Sequence, residues 1–119
     1  MSRLVRVSAV VELAIGVALL AIAPIVLDLL IGPPSNQQAA LVGRVLGAAL
    51  LALGIAGGLA GKEPVQRGIW CAFVVYNGVT ATILLVAGVS GAADGLLLWP
   101  VVALHAALAL ALVAGWLRS

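Results

Sequence analysis

Apolar residues fill this chain in four long blocks, and three short breaks separate them. The breaks are Gly32-Pro33-Pro34-Ser35-Asn36, Gly61-Lys62-Glu63-Pro64 and Ser90-Gly91-Ala92-Ala93-Asp94. Two prolines end the first block, and Ser35 or Asn36 is placed to cap the next helix. Gly61 suits the left-handed position after a helix and Pro64 the first turn of its successor. Asp94 is placed to cap a fourth helix whose early Pro100 falls where proline is tolerated. The resulting helices cover roughly 4–23, 36–60, 65–89 and 95–117, each close to the ~20 apolar residues of one bilayer crossing. Turns this short make sequential helices antiparallel. The expected fold is all-α: an integral membrane antiparallel four-helix bundle, a single domain over 1–119.

Pro24 leaves two readings open. It can start a short interfacial helix, Pro24 to Ile31, after the first span, with Asp28 toward water and Ile25, Val26, Leu29 and Leu30 toward lipid. Alternatively the first helix runs on, kinked at Pro24.

Composition fixes the solvent. Hydrophobic residues make up 65% of the 119, charged residues 8%, and mean hydropathy is +1.30. So little polar surface cannot coat a water-soluble globule, and four crossings leave no room for a soluble domain. A net charge of +2 drawn from so few groups marks no nucleic-acid surface. The single cysteine, Cys71, excludes an internal disulfide, and one histidine gives no metal-site spacing, so no cofactor or metal is expected. Arg3 and Arg6 before an apolar run ending in Ala21-Ile22-Ala23 have the outline of a cleaved leader, but Glu12 interrupts the run and Pro24 follows it, so the helix is expected to stay.

Charge also orients the chain. Arg3, Arg6, Lys62, Arg67 and Arg118 fall on one side of the four-span arrangement, which places both termini in the cytoplasm and Asp28 and Asp94 outside. Trp70 and Trp116 near the inner boundary and Trp99 near the outer one fit aromatic belts. The expected location is a bacterial inner membrane.

Association in lipid needs close packing or polar contacts. Helix two offers glycine pairs at Gly43/Gly47 and Gly54/Gly58, expected to pack within the chain rather than form a dimer seam, and the Ala-rich stretch from Ala103 to Ala114 has similar smooth surfaces. Each helix also carries a polar residue within its span: Glu12, Arg44, Asn77 with Tyr76 and Thr80, and His105. A rise of ~1.5 Å per residue puts Glu12, Asn77 and His105 at about one depth, with Arg44 nearer the outer boundary. An unpaired guanidinium in hydrocarbon needs an acceptor. Glu12, on a stripe with Ser8 and Gly16, is the first candidate, and Asp28 is the competitor if helix one continues through Pro24. The expectation is one polar cluster joining all four helices.

Four spans, this length and a glutamate in helix one invite comparison with small multidrug-resistance transporters, but the strong charge bias and the 4% aromatic content depart from that pattern. Glu12 through Gly16, Gly43-Arg44 with Gly47, Tyr76-Asn77 and Leu98-Trp99-Pro100 with His105 look more like uncharacterised small four-helix inner-membrane proteins of bacteria, a resemblance that implies no activity. Nucleophile motifs, metal spacing and phosphate loops are absent from the sequence, so the leading expectation is a non-enzymatic accessory or interaction subunit that binds another membrane protein or itself. The alternative is a proton-linked transporter or small-ligand binder using Glu12, Arg44, Tyr76, Asn77 and His105. An enzyme or haem protein using His105 ranks third.

Overall fold

A computed structural model describes residues 2–61 and 64–119, with the Ser2 side chain excepted. Four helices account for nearly all of it: α1 (Ser2–Leu30), α2 (Gln37–Leu59), α3 (Val65–Ser90) and α4 (Leu98–Arg118). Each is long and apolar enough to cross a membrane, which suggests a multi-pass membrane protein. Both termini and the α2–α3 turn lie at one end of the bundle, the α1–α2 and α3–α4 connections at the other. Lys62 and Glu63 of the α2–α3 turn lie outside the described residues.

The buried positions share one period. On α2 they are Ala40, Gly43, Gly47, Leu50, Gly54 and Gly57, spaced alternately three and four apart. Val5, Ala9, Glu12, Leu19 and Ala23 follow the same rhythm on α1, as do Trp70, Phe73 and Asn77 on α3 and His105, Leu108 and Leu112 on α4. This 3.5-residue repeat keeps one seam of each helix toward its neighbours, as left-handed bundles require.

The α1–α2 contact is the most extensive. A Cβ on Gly16 would stand 2.8 Å from the Gly47 carbonyl oxygen, and one on Gly47 would stand 2.8 Å from the Gly16 carbonyl oxygen, so the two backbones touch where both side chains are missing. Gly54 meets Leu13 and the Ala9 carbonyl. The second expected glycine pair is corrected: nothing approaches Gly58, and Gly57 instead takes the Phe73 ring. α3 packs on α4, both touch α1, and α2 has only slight contact with α3.

The first helix runs from Ser2 to Leu30 as two helical stretches that meet at a kink. Proline at 24 deprives the Leu20 carbonyl of its donor, and the backbone leaves helical geometry at Ile22 (φ −137°, ψ 43°) before resuming to Leu30. Its far end is bolted down. Asp28 Oδ1 accepts the Ser35 amide at 2.8 Å, while the Leu29 and Ile31 carbonyls accept the Leu97 and Asp94 amides at 2.7 and 2.9 Å. A Cβ on Gly95 would run into the Leu29 and Leu30 backbone, so glycine permits this clasp.

Local capping follows the sequence at one end and departs from it at others. Asn36 caps α2 by accepting the Ala39 amide at 2.8 Å. Asp94 does not cap α4: the Asp94 and Leu97 amides pair with the end of α1, and the helix begins after Leu97 without a side-chain cap. Gly61 is not left-handed; among the described glycines only Gly32 and Gly91 have positive φ. Trp70 is no belt residue, since it is 1% exposed in a cluster with Val5, Ala9, Phe73 and Leu112. Trp116 covers it (centroids 6.4 Å apart) and carries the Arg67 guanidinium over its outer face.

Candidate functional site

Three of the four helices deliver polar side chains to the middle of the bundle. Each occupies a position where the seam repeat demands an interior residue, so packing turns Glu12, Asn77 and His105 inward: all are at most 2% exposed. Their common depth follows from the antiparallel register. His105 Nδ1 stands 2.7 Å from Asn77 Oδ1. Asn77 Nδ2 donates to the Phe73 carbonyl at 2.8 Å, which fixes the amide orientation. Oδ1 is then the acceptor, so Nδ1 carries the imidazole hydrogen and Nε2 of the neutral ring presents a lone pair.

Tyr76 connects this pair to α1. Its ring meets His105 edge-on, with centroids 5.6 Å apart and planes at 82°. Its hydroxyl is within electrostatic reach of the Thr80 hydroxyl and the Glu12 carboxyl. The approach to Glu12 stops short of a hydrogen bond, because neither carboxyl oxygen has a partner among the described residues. Ser8 Oγ, one turn before Glu12, and Trp70 Nε1 are likewise buried without partners. Most buried polar groups in folded proteins are satisfied, so a buried carboxyl with neither a counter-ion nor a hydrogen bond marks the place where this interior is incomplete.

Arg44 is absent from this centre, which corrects the expected Glu12–Arg44 pair. It is exposed on α2. One residue past the seam position Gly43 turns a side chain by about 100°, and the close α1–α2 approach at Gly43 and Gly47 leaves no room for a guanidinium between the helices. No ion pair joins it to Asp28 either, whose Oδ1 accepts the Ser35 amide. The cluster therefore joins α1, α3 and α4, without α2.

Beyond Tyr76 and His105, away from the termini, the helices part around a cavity of about 380 Å³. Its walls are apolar: Ile15, Leu19, Val26 and Leu27 of α1, Leu46 and Leu50 of α2, Leu84 of α3 and Val101 of α4. Tyr76, Thr80 and His105 form its only polar surface. The clasp between the end of α1 and the start of α4 roofs it through Leu29, Leu30, Ile31 and Leu97. Leu46 on one side of the cavity and Leu29, Ile31 and Leu97 at its outer end are partly exposed, so the cavity is open rather than sealed. The volume is at the lower end of the ~300–1,000 Å³ of ligand pockets.

The sequence brought Glu12, Tyr76, Asn77, Thr80 and His105 to notice, and the structure gathers them. It gave no sign of Leu46, Leu50 or Val101 as cavity walls, since a leucine beside a void and a leucine in a packed core have the same neighbours in sequence. Cys71 is exposed on α3, away from the cluster. No group of three His, Cys, Asp or Glu side chains suited to a metal occurs among the described residues. No protein-family model, curated protein or solved structure matches the chain.

Proposed function

We propose that this chain is a multi-pass protein of a bacterial inner membrane, with both termini cytoplasmic, that binds a small and largely apolar molecule entering sideways from the bilayer. Four apolar helices with outward leucines and valines support the membrane location. Arginines at the terminal end (Arg3, Arg6, Arg67, Arg118) and aspartates at the other (Asp28, Asp94) support the orientation. One observation carries the binding reading: an open cavity with apolar walls ends on Tyr76, Thr80 and His105, the only polar groups it reaches. Apolar walls with a few convergent polar groups are how ligand sites obtain both affinity and orientation. The exposed Leu46 and the apolar walls favour a ligand that arrives through the membrane.

Native mass spectrometry of the protein released gently from its membrane tests this. A small molecule should travel with the native chain and be lost from Leu46→Trp, which fills the mouth. Equal occupancy in both would refute the cavity as the site.

Arg44 favours a second reading, that of an interaction subunit. It stands two turns into α2 on the outward face, where a cation in hydrocarbon calls for a lipid phosphate or an acidic side chain of another protein. Stoichiometric recovery of a second membrane protein with the native chain, abolished by Arg44→Leu, would support it.

A further inference from the structure

Resting on the ligand-binding reading above, we infer that the cavity selects amphiphiles whose buried end is a hydrogen-bond donor, above all a primary ammonium, and rejects carboxylates. The direction of the hydrogen bonds at the floor carries this. Asn77 spends its donor on the Phe73 carbonyl and turns Oδ1 to His105, so His105 spends its own donor on Asn77 and keeps a lone pair on Nε2. The Tyr76 hydroxyl, on the same wall and not hydrogen-bonded to the Glu12 carboxyl, can accept as well as donate.

Charge points the same way. Glu12 is 0% exposed, with both oxygens unpartnered, and every described arginine is exposed. Among the described residues no cation answers the carboxyl. An anionic ligand end would be an unpaired charge in surroundings of low dielectric, with no described cation to answer it. A primary ammonium brings three donors and a positive charge. It can give hydrogens to His105 Nε2 and the Tyr76 oxygen, lie in the field of Glu12, and use the attraction of the Tyr76 ring for cations. The walls from Leu19 to Val101 take its hydrocarbon chain.

Three probes with one chain and different heads test the inference: decylamine, decan-1-ol and decanoate, titrated against the protein in lipid nanodiscs with occupancy read by native mass spectrometry. Decylamine should bind saturably and at least about tenfold more tightly than decanoate, and Leu46→Trp should remove that binding. Glu12→Gln should weaken decylamine by about tenfold or more while leaving decan-1-ol unchanged. Tyr76→Phe, which keeps the ring and removes only the oxygen, should weaken decylamine severalfold and provides the same test should the glutamine variant not fold. Decanoate binding as tightly as decylamine, with both lost in Leu46→Trp, overturns the donor preference and leaves the cavity standing. Non-saturable uptake of all three probes, unchanged by Leu46→Trp, overturns the preference and the binding site together.

Discussion

His105 Nδ1 and Asn77 Oδ1 stand 2.7 Å apart across the α3–α4 interface, a buried side-chain-to-side-chain hydrogen bond between helices. The contact aligns two antiparallel helices at mid-depth, fixes the imidazole tautomer and leaves a lone pair on the other ring nitrogen of a residue that lines the cavity. Local packing and the chemistry of the site thus depend on the same pair.

Asn77→Leu should leave the His105 donor buried and unmatched, at a cost of about 1–3 kcal/mol. Adding His105→Phe should recover part of that loss, since the pair is then removed from both sides. Thermal unfolding of the two single variants and the double variant in detergent measures the coupling, and strict additivity would mean that the bond contributes nothing to stability.

Gly16→Ala and Gly47→Ala each place a methyl group against the facing backbone, 2.8 Å from a carbonyl oxygen that no side-chain rotation relieves. Each should destabilise the α1–α2 pair by about 1–3 kcal/mol. Gly58→Ala meets nothing within 4 Å and should stay within about 0.5 kcal/mol of the native chain. A loss at Gly58 equal to that at Gly16 would contradict this helix pairing.

Arg44→Leu should change detergent stability by less than about 0.5 kcal/mol, because an exposed arginine outside the cluster holds no helix in place. Glu12→Leu should behave differently. It replaces an unpartnered buried carboxyl with a side chain suited to an apolar seam, so stability should hold or rise while ligand binding disappears. A collapse of the fold in Arg44→Leu would revive the Glu12–Arg44 pair.

Topology is open to labelling. With the exposed Cys71 changed to alanine, a cysteine at Asp94 should react with a membrane-impermeant maleimide on intact cells, and one at Ser119 only after permeabilisation. The reverse pattern would invert the proposed orientation, and labelling at both positions in intact cells would contradict a four-span arrangement.

Much of this architecture was legible along the chain because the main signals are one-dimensional. Blocks of apolar residues and proline- or glycine-bearing breaks located four helices, to within a turn at most ends. A constant rise per residue then put Glu12, Asn77 and His105 at one depth. Depth is a coordinate that a single helix possesses by itself. Register and rotation belong to a pair of helices, and there the reading by depth went astray: Gly43 faces Leu19, Ala23 and Leu27 while Gly54 faces Ala9 and Leu13, so Arg44 stands about two turns from the level of Glu12 and also faces outward. The information was partly present, since the three-and-four spacing of Ala40, Gly43, Gly47, Leu50, Gly54 and Gly57 excludes position 44 from the seam. The identity of the partner had no such trace.

The sequence by itself determined the number of helices, their order and direction, and the level at which polar groups occur, because each follows from local chemistry and the fixed geometry of a helix. Only the tertiary structure decided that α2 leans on α1 through facing glycines, that Pro24 kinks a helix whose end is clasped by the α3–α4 connection, and that α2 and α3 diverge around a void. Those outcomes depend on which surfaces fit against each other, and the shape of an unfilled space is set by all four helices at once.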